Sequence, residues 1–239
     1  MDLPRVIAFD GDDTLWHNET LFSMTQGRFR SLISRHIDIP THILNARLLE
    51  TERRNIPTYG YGIKGFVLSM IETAIEVTER RIPAEDIQTI LDYGRTMIEH
   101  PVELIEGACE VLETLRARDH ELWLITKGDL FDQESKIARS DLVPFFHAIE
   151  VLSEKDQVSY QRLLDKYGVS PDEFLMVGNS VRSDVLPVIE IGGRAVHVPY
   201  EITWEHEHVE GHLPEGAVTL ARLFDLLDAE TASDEGHQK

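Results

Sequence analysis

The chain has 239 residues, of which 23 are lysine or arginine and 43 are aspartate or glutamate, for a formal net charge of −20. So acidic a surface repels nucleic acid and anionic membranes, and we expect neither as a partner. Apolar runs fall short of the roughly 18 residues that a membrane-spanning helix needs. Because Cys109 is the only cysteine and the first predicted strand begins at Val6, we expect no disulfide, no signal peptide and a cytoplasmic location.

The N-terminal apolar run Val6–Phe9 predicts a short buried strand, and Asp10, Asp12 and Thr14 follow it directly. In an open parallel sheet, ligands bind beyond the carboxyl ends of the strands. Carboxylates gathered there need a counter-charge, and a hard divalent cation with oxygen ligands supplies one. Taken alone, Asp10-Gly11-Asp12 would also fit an ordinary turn.

Residues 18–99 have helical periodicity and little strand character. The predicted helices are Leu21–His36, Ile43–Arg54, Lys64–Thr78 and Ala84–Glu99. So many helical residues exceed one crossover between neighbouring strands, and they predict an inserted helical domain above the strand ends. Such a lid can exclude water from a reaction and contribute specificity residues.

The segment 58–65 within this insertion contains three glycines and two tyrosines. One hypothesis is a mobile specificity loop that presents Tyr61 and Lys64 to a substrate. The alternative is a plain connection between helices, with glycine at the helix ends.

Strand-like and helical runs alternate after residue 100, which is typical of a parallel sheet with flanking helices. The predicted strands are Glu121–Ile125, Ala148–Leu152, Phe174–Val177 and Gly193–Val198. Polar residues follow the first three of these strands, namely Thr126 with Lys127, then Lys155, then Asn179 with Asp184. Together with the N-terminal aspartates they form an ordered set that a chance arrangement would not produce.

This ordered set resembles the four motifs of the haloacid dehalogenase superfamily. The first motif is Asp10, Asp12 and Thr14, the second Thr126, the third Lys155, and the fourth Asn179 with Asp184. The resemblance spans roughly residues 5–200. One departure is Asn179, which stands where many members have aspartate, so the site carries one negative charge fewer.

The resemblance implies an α/β fold, a Rossmann-like three-layer parallel sheet core with an inserted all-helical cap. The expected core comprises residues 1–17 and 100–230, the cap comprises residues 18–99, and residues 231–239 form a polar, disordered tail. A cap helix could pair two subunits as a homodimer, although the sequence leaves the oligomeric state open.

The resemblance also implies a role for each motif residue. Asp10 is the expected nucleophile, forming an aspartyl-phosphate, and Asp12 is the general acid and then the general base. Mg²⁺ is the expected cofactor, with Asp10, the main-chain carbonyl of Asp12 and Asp184 as ligands and Asn179 close by or among them. Thr126 and Lys155 are expected to hold the phosphoryl group, and Lys127 could add phosphate affinity.

These assignments predict a Mg²⁺-dependent hydrolase of phosphate monoesters, acting on a small phosphometabolite that the sequence does not identify. A phosphomutase uses the same catalytic residues and differs in how the cap excludes water. A 2-haloacid dehalogenase fits less well, because breaking a carbon–halogen bond needs no proton from Asp12. A non-catalytic binding protein with this fold has only Asn179 in its favour.

Three histidines near the C-terminus, His206, His208 and His212, have spacing that suggests a metal site. Their segment is acidic and lacks cysteine, so a solvated loop is the favoured interpretation.

Overall fold

A computed structural model describes residues 3–202 and 213–228 of the chain, and within them six strands form one parallel sheet. The strands are β1 (Val6–Phe9), β2 (Glu121–Lys127), β3 (Ala148–Leu152), β4 (Phe174–Gly178), β5 (Arg194–His197) and β6 (Ala217–Thr219). Their order across the sheet is β3-β2-β1-β4-β5-β6. Strand β1 therefore lies between β2 and β4, which brings the ends of these three strands to one region of the sheet edge.

Five helices follow β1 before the chain returns to the sheet at β2, four of them as one group, and the helices from the fifth onward alternate with strands. The first group is α1 (Glu19–Ile33), α2 (Thr41–Tyr59), α3 (Ile63–Val77) and α4 (Ala84–Glu99). The second group is α5 (Ala108–Ala117), α6 (Leu130–Arg139), α7 (Gln157–Tyr167) and α8 (Leu186–Glu190), the last preceded by a π-helical turn, Val181–Val185.

Both faces of β1 are buried, as expected for the centre of a parallel sheet. Ile7 and Phe9 belong to one apolar cluster and Val6 and Ala8 to another, because successive side chains point to opposite faces. All four side chains are inaccessible to solvent. The sheet is thus covered on both faces, and its strand ends are the places where polar groups can gather.

The predicted α/β class with a parallel sheet is confirmed, while several element boundaries differ from the prediction. Strand β6 was not predicted, because its residues are only partly buried or exposed and give no apolar run. Helix α2 continues past Pro57 to Tyr59 instead of ending at Arg54. Near the end of the described residues, only 225–228 are helical.

The chain divides into two compact units. One unit comprises Met1–Glu19, Val102–Lys127 and Gln133–Lys239, and the other comprises Thr20–Pro101 together with Gly128–Asp132. The second unit contains α1–α4 around its own apolar cluster, which includes Phe29, Leu48 and Met70. The predicted cap and core boundaries stay predictions, and the tail 231–239 lies outside the described residues, as do His206, His208 and His212.

No helix in the described part of the chain has the length and apolar character required to cross a membrane.

A glycine in the helical unit allows a close contact between two of its helices. Gly94 of α4 is buried, and a Cβ at this position would lie 2.5 Å from Cγ2 of Val67 in α3. Gly27 of α1 offers a contrast, because a Cβ there would meet only Arg30 Nη2, at 3.5 Å.

We predict that Gly94→Ala destabilises the protein and that Gly27→Ala does not. Overpacking a well-packed core costs about 1–3 kcal/mol, whereas replacing a helical glycine by alanine gains about 1 kcal/mol. Urea unfolding should therefore show a lower free energy of unfolding for Gly94→Ala and an equal or higher one for Gly27→Ala. Equal stabilisation by both substitutions would contradict the close packing at Gly94.

Candidate active site

A tight turn after β1 positions the two aspartates of the first motif. The carbonyl of Gly11 accepts hydrogen bonds from the backbone N–H groups of Leu15, at 2.9 Å, and Trp16, at 3.2 Å. The Trp16 ring packs over Gly11, where a Cβ would lie 2.5 Å from the ring. Asp13 has a left-handed φ of 60° and accepts hydrogen bonds from the backbone N–H groups ahead of α1. Close packing against Trp16 therefore requires glycine at position 11, and Asp13 stabilises the turn through its hydrogen bonds.

Asp10, Lys155 and Asp184 form a buried ionic cluster at the ends of three chain segments. Lys155 Nζ donates to Asp10 Oδ1 at 2.5 Å and to Asp184 Oδ1 at 2.7 Å. The side chains of Lys155 and Asp184 are 2% and 1% exposed. Charges so deeply buried are tolerated only when paired, and here one ammonium group serves two carboxylates.

The position of Asp184 depends on the backbone that precedes it. Its Oδ2 accepts a hydrogen bond from the backbone N–H of Ser180 at 3.0 Å. The same carboxylate lies over Gly178, the last residue of β4, where a Cβ would collide with it. The π-helical turn and a residue without a side chain thus bring Asp184 back toward the strand ends.

The cluster of two carboxylates and one ammonium group has excess negative charge. Burial raises the pKa of Asp10; Lys155 opposes this rise and Asp184 adds to it. Burial alone would lower the pKa of Lys155, but the attraction of Asp10 and Asp184 outweighs this effect and raises the pKa of the ammonium group. A further cation would relieve the repulsion between the carboxylates.

Asp12 belongs to a separate hydrogen-bond network. Lys136 Nζ lies 2.7 Å from both of its carboxylate oxygens, Gln133 Nε2 donates to Oδ2 at 2.8 Å, and Trp16 Nε1 donates to Oδ1 at 2.6 Å. Burial acts to raise the pKa of Asp12, but Lys136 and the other donors hold it below its usual value. Two aspartates separated by one residue therefore have pKa values shifted in opposite directions.

The remaining motif residues make contacts of their own within the same unit. Thr126 Oγ1 donates to Gln133 Oε1 at 3.1 Å, and Thr14 Oγ1 donates to Asn179 Oδ1 at 3.4 Å. Lys127 Nζ donates to Ser183 Oγ at 3.1 Å. Asn179 also accepts a hydrogen bond at its main-chain oxygen, from Nε2 of His197.

The oxygen donors at this site fit a hard divalent cation. Asp10 and Asp184 share one ammonium group and retain excess charge, and Asn179 adds an amide oxygen nearby in sequence. The carboxylate of Asp12 is engaged by Lys136, so this residue could contribute only its main-chain oxygen. Within residues 3–202 and 213–228, no group of three or more His, Cys, Asp or Glu side chains could hold a metal.

Of the sequence-predicted core residues, Asp10 and Asp184 meet around Lys155, and Thr126 connects to Asp12 through Gln133. Lys127 contacts Ser183, and Asn179 contacts Thr14. Tyr61 and Lys64 belong instead to the helical unit. There, Lys64 Nζ pairs with Asp129 Oδ1 at 2.8 Å, in the short segment 128–132 that the helical unit includes. Their predicted contact with a substrate stays a prediction.

Sequence reasoning missed the partners of Asp12 on α6, Gln133 and Lys136. Both residues are buried, at 3% and 9% exposed, although glutamine and lysine are usually solvent-exposed. Their spacing of three residues places them on one helix face. This spacing, just after Thr126, was the available signal, but it does not reveal the partner that the two side chains share.

Comparison with known proteins agrees with this geometry. A family model described as haloacid dehalogenase-like hydrolase matches residues 4–192. A haloacid dehalogenase-like hydrolase of known structure from Xanthomonas campestris is 39% identical with a TM-score of 0.84, and the match covers all of both chains.

Two curated relatives are more distant in sequence. A glyceraldehyde 3-phosphate phosphatase from Pyrococcus furiosus is 23% identical over 96% of this chain and 95% of its own length. The pyrimidine 5′-nucleotidase PynA from Streptococcus pneumoniae is 27% identical over 53% of this chain and 54% of its own. The family match across most of the sheet-forming unit, together with the clustered motif residues, establishes that the chain belongs to the haloacid dehalogenase-like hydrolases.

Proposed function

We propose that this protein is a Mg²⁺-dependent phosphomonoester hydrolase that acts on a small phosphorylated metabolite through an aspartyl-phosphate on Asp10. The observation that carries the proposal is the network around Asp12. A carboxylate held beside the nucleophile by several donors suits a reaction that moves protons twice. A dehalogenase needs no proton for its leaving group, so the acid role that we assign to Asp12 would have no task in that reaction.

In the first step, a carboxylate oxygen of Asp10 attacks phosphorus and the bond from phosphorus to the ester oxygen breaks. The Asp12 carboxyl gives its proton to that oxygen, and the alcohol leaves. Lys155, paired with Asp10 in the structure, offsets the negative charge of the transferring group.

In the second step, a water oxygen attacks the aspartyl-phosphate and the bond from phosphorus to the Asp10 oxygen breaks. Asp12, now a carboxylate, takes the proton of the attacking water, so that both aspartates return to their starting state. The donors around Asp12 favour its ionised form, which is the form that this step requires.

Asp10, Asp184 and the main-chain oxygen of Asp12 would hold Mg²⁺, with Asn179 beside them. When bound, the cation supplies positive charge that orients the phosphoryl group and offsets its charge. Thr126 would donate to a phosphoryl oxygen once its hydroxyl turns from Gln133, and Lys127 would add attraction for the phosphate.

The curated relatives support a substrate class. Both named relatives act on small phosphate monoesters, and we propose the same class here. We further propose that the helical unit serves as the cap, with Tyr61 and Lys64 in substrate recognition. Cytoplasmic location and homodimer formation are parts of the same proposal.

Asp10→Asn should abolish turnover while leaving the protein folded, because an amide oxygen is a far weaker nucleophile than a carboxylate. Phosphate release from a panel of sugar, acid and nucleoside monophosphates with Mg²⁺ would measure this effect. Asp172→Asn, which makes the same chemical change at an exposed position, is the matched control and should retain full activity. Substantial release by Asp10→Asn would remove Asp10 as the nucleophile.

Asp184→Asn should raise the Mg²⁺ concentration needed for half-maximal phosphate release by about tenfold or more, because it removes a charged ligand. The amide keeps the shape of the side chain and can still accept the N–H of Ser180. Titration of phosphate release with Mg²⁺ would compare the variant with the wild type and with Asp172→Asn. An unchanged titration would place the metal elsewhere.

A further inference from the structure

The carboxylate of Asp12 accepts hydrogen bonds from three side chains. Lys136 donates to both oxygens, Trp16 adds a donor to Oδ1 and Gln133 adds one to Oδ2. These donors come from two places in the chain, the turn after β1 and helix α6. The orientation of the carboxylate is therefore fixed from two sides.

Gln133 links Asp12 to the second motif through a single amide group. Its Nε2 donates to Asp12 Oδ2 at 2.8 Å, and its Oε1 accepts from Thr126 Oγ1 at 3.1 Å. The orientation of the amide is determined by these two partners, since a carboxylate can only accept the hydrogen bond. A shift of α6 would move the proton-transferring carboxylate and the phosphate-binding hydroxyl together.

Lys136 lies one helical turn beyond Gln133 and is nearly as deeply buried, with 11% of its side chain exposed. Besides Asp12, its Nζ reaches Asn18 Oδ1 at 3.2 Å. A lysine buried in this way cannot sample many rotamers. Its ammonium group therefore forms a rigid contact with Asp12, unlike the mobile ion pairs of exposed lysines.

We propose that Gln133 and Lys136 are positioning residues, which hold the Asp12 carboxylate in the orientation that both proton transfers require. This inference rests on the proposed function, because it assigns the two residues to the step that Asp12 performs. Without Lys136 the carboxylate loses a donor to each oxygen and can rotate. Misplacement of a reacting group by about 1 Å can slow a reaction by about 10²-fold.

The test separates the two chemical steps by using 4-nitrophenyl phosphate. Its leaving group needs no proton, so the first turnover does not require Asp12 as an acid. The second step still requires Asp12 as a base. Loss of Asp12 positioning should therefore leave the release of the first nitrophenolate fast and slow the steady state.

For Lys136→Met we expect a first turnover within about threefold of the wild type and a steady-state rate about 10²-fold lower. Asp12→Asn should show the same pattern, and the double variant should be no slower than Asp12→Asn alone, because Lys136 acts through Asp12. Lys166→Met, which removes an exposed lysine paired with Glu150, should match the wild type.

A second variant and a stability measurement keep the test decisive. Gln133→Leu removes one donor from Asp12 and leaves Lys136 in place, so we expect the same pattern with a smaller, roughly tenfold, loss. Thermal denaturation would show whether Lys136→Met is folded at the assay temperature. If it is not, Gln133→Leu provides the test.

Three outcomes would overturn the inference while leaving the proposed function intact. These are wild-type steady-state rates in folded variants, an equal slowing of the first turnover and the steady state, or additive losses in the double variant. Failure of the proposed function has a different signature: wild type, Asp12→Asn and Asp10→Asn would all release no nitrophenolate.

Discussion

The buried ammonium group of Lys155 between Asp10 and Asp184 is the interaction on which the site depends. Breaking a buried ion pair by removing one partner costs about 3–5 kcal/mol, so these three residues must be brought together by the fold. The parallel sheet does this by ending β1 and β4 side by side, while Lys155 arrives just ahead of α7. The glycine that ends β4 leaves room for the returning carboxylate.

Two aspartates separated by one residue acquire different chemistry because they face different partners. Asp10 shares its lysine with a second carboxylate, whereas Asp12 pairs with Lys136 and accepts hydrogen bonds from two uncharged donors. Environments that shift neighbouring pKa values in opposite directions are typical of sites in which two carboxylates have different roles. The donor arrangement, as well as the motif, is thus consistent with the proposed roles of Asp10 as nucleophile and Asp12 as acid–base group.

The sequence predicted those features that depend on local pattern and missed those that depend on tertiary contacts. The four apolar residues of β1 and the aspartates after them could be identified because a buried parallel strand has a distinctive composition. Strand β6 could not, because Val218 and Thr219 are exposed and their pairing is supplied by β5. Lys136 was missed for a similar reason, since a lysine in an amphipathic helix gives no sign of a carboxylate located more than a hundred residues earlier in the chain.

The balance of charges at the site supports the proposed cation. The ionic groups of the two networks and the adjoining strand end are the aspartates Asp10, Asp12 and Asp184 and the lysines Lys127, Lys136 and Lys155. The charges of the three lysines balance those of the three aspartates, so no net positive charge remains to attract a dianionic phosphate. The whole chain, moreover, has a net charge of −20. Because Lys136 and Lys155 are already paired with carboxylates, these two lysines have little charge left to attract a phosphate. A divalent cation on Asp10 and Asp184 would add positive charge, which supports the proposed Mg²⁺ requirement.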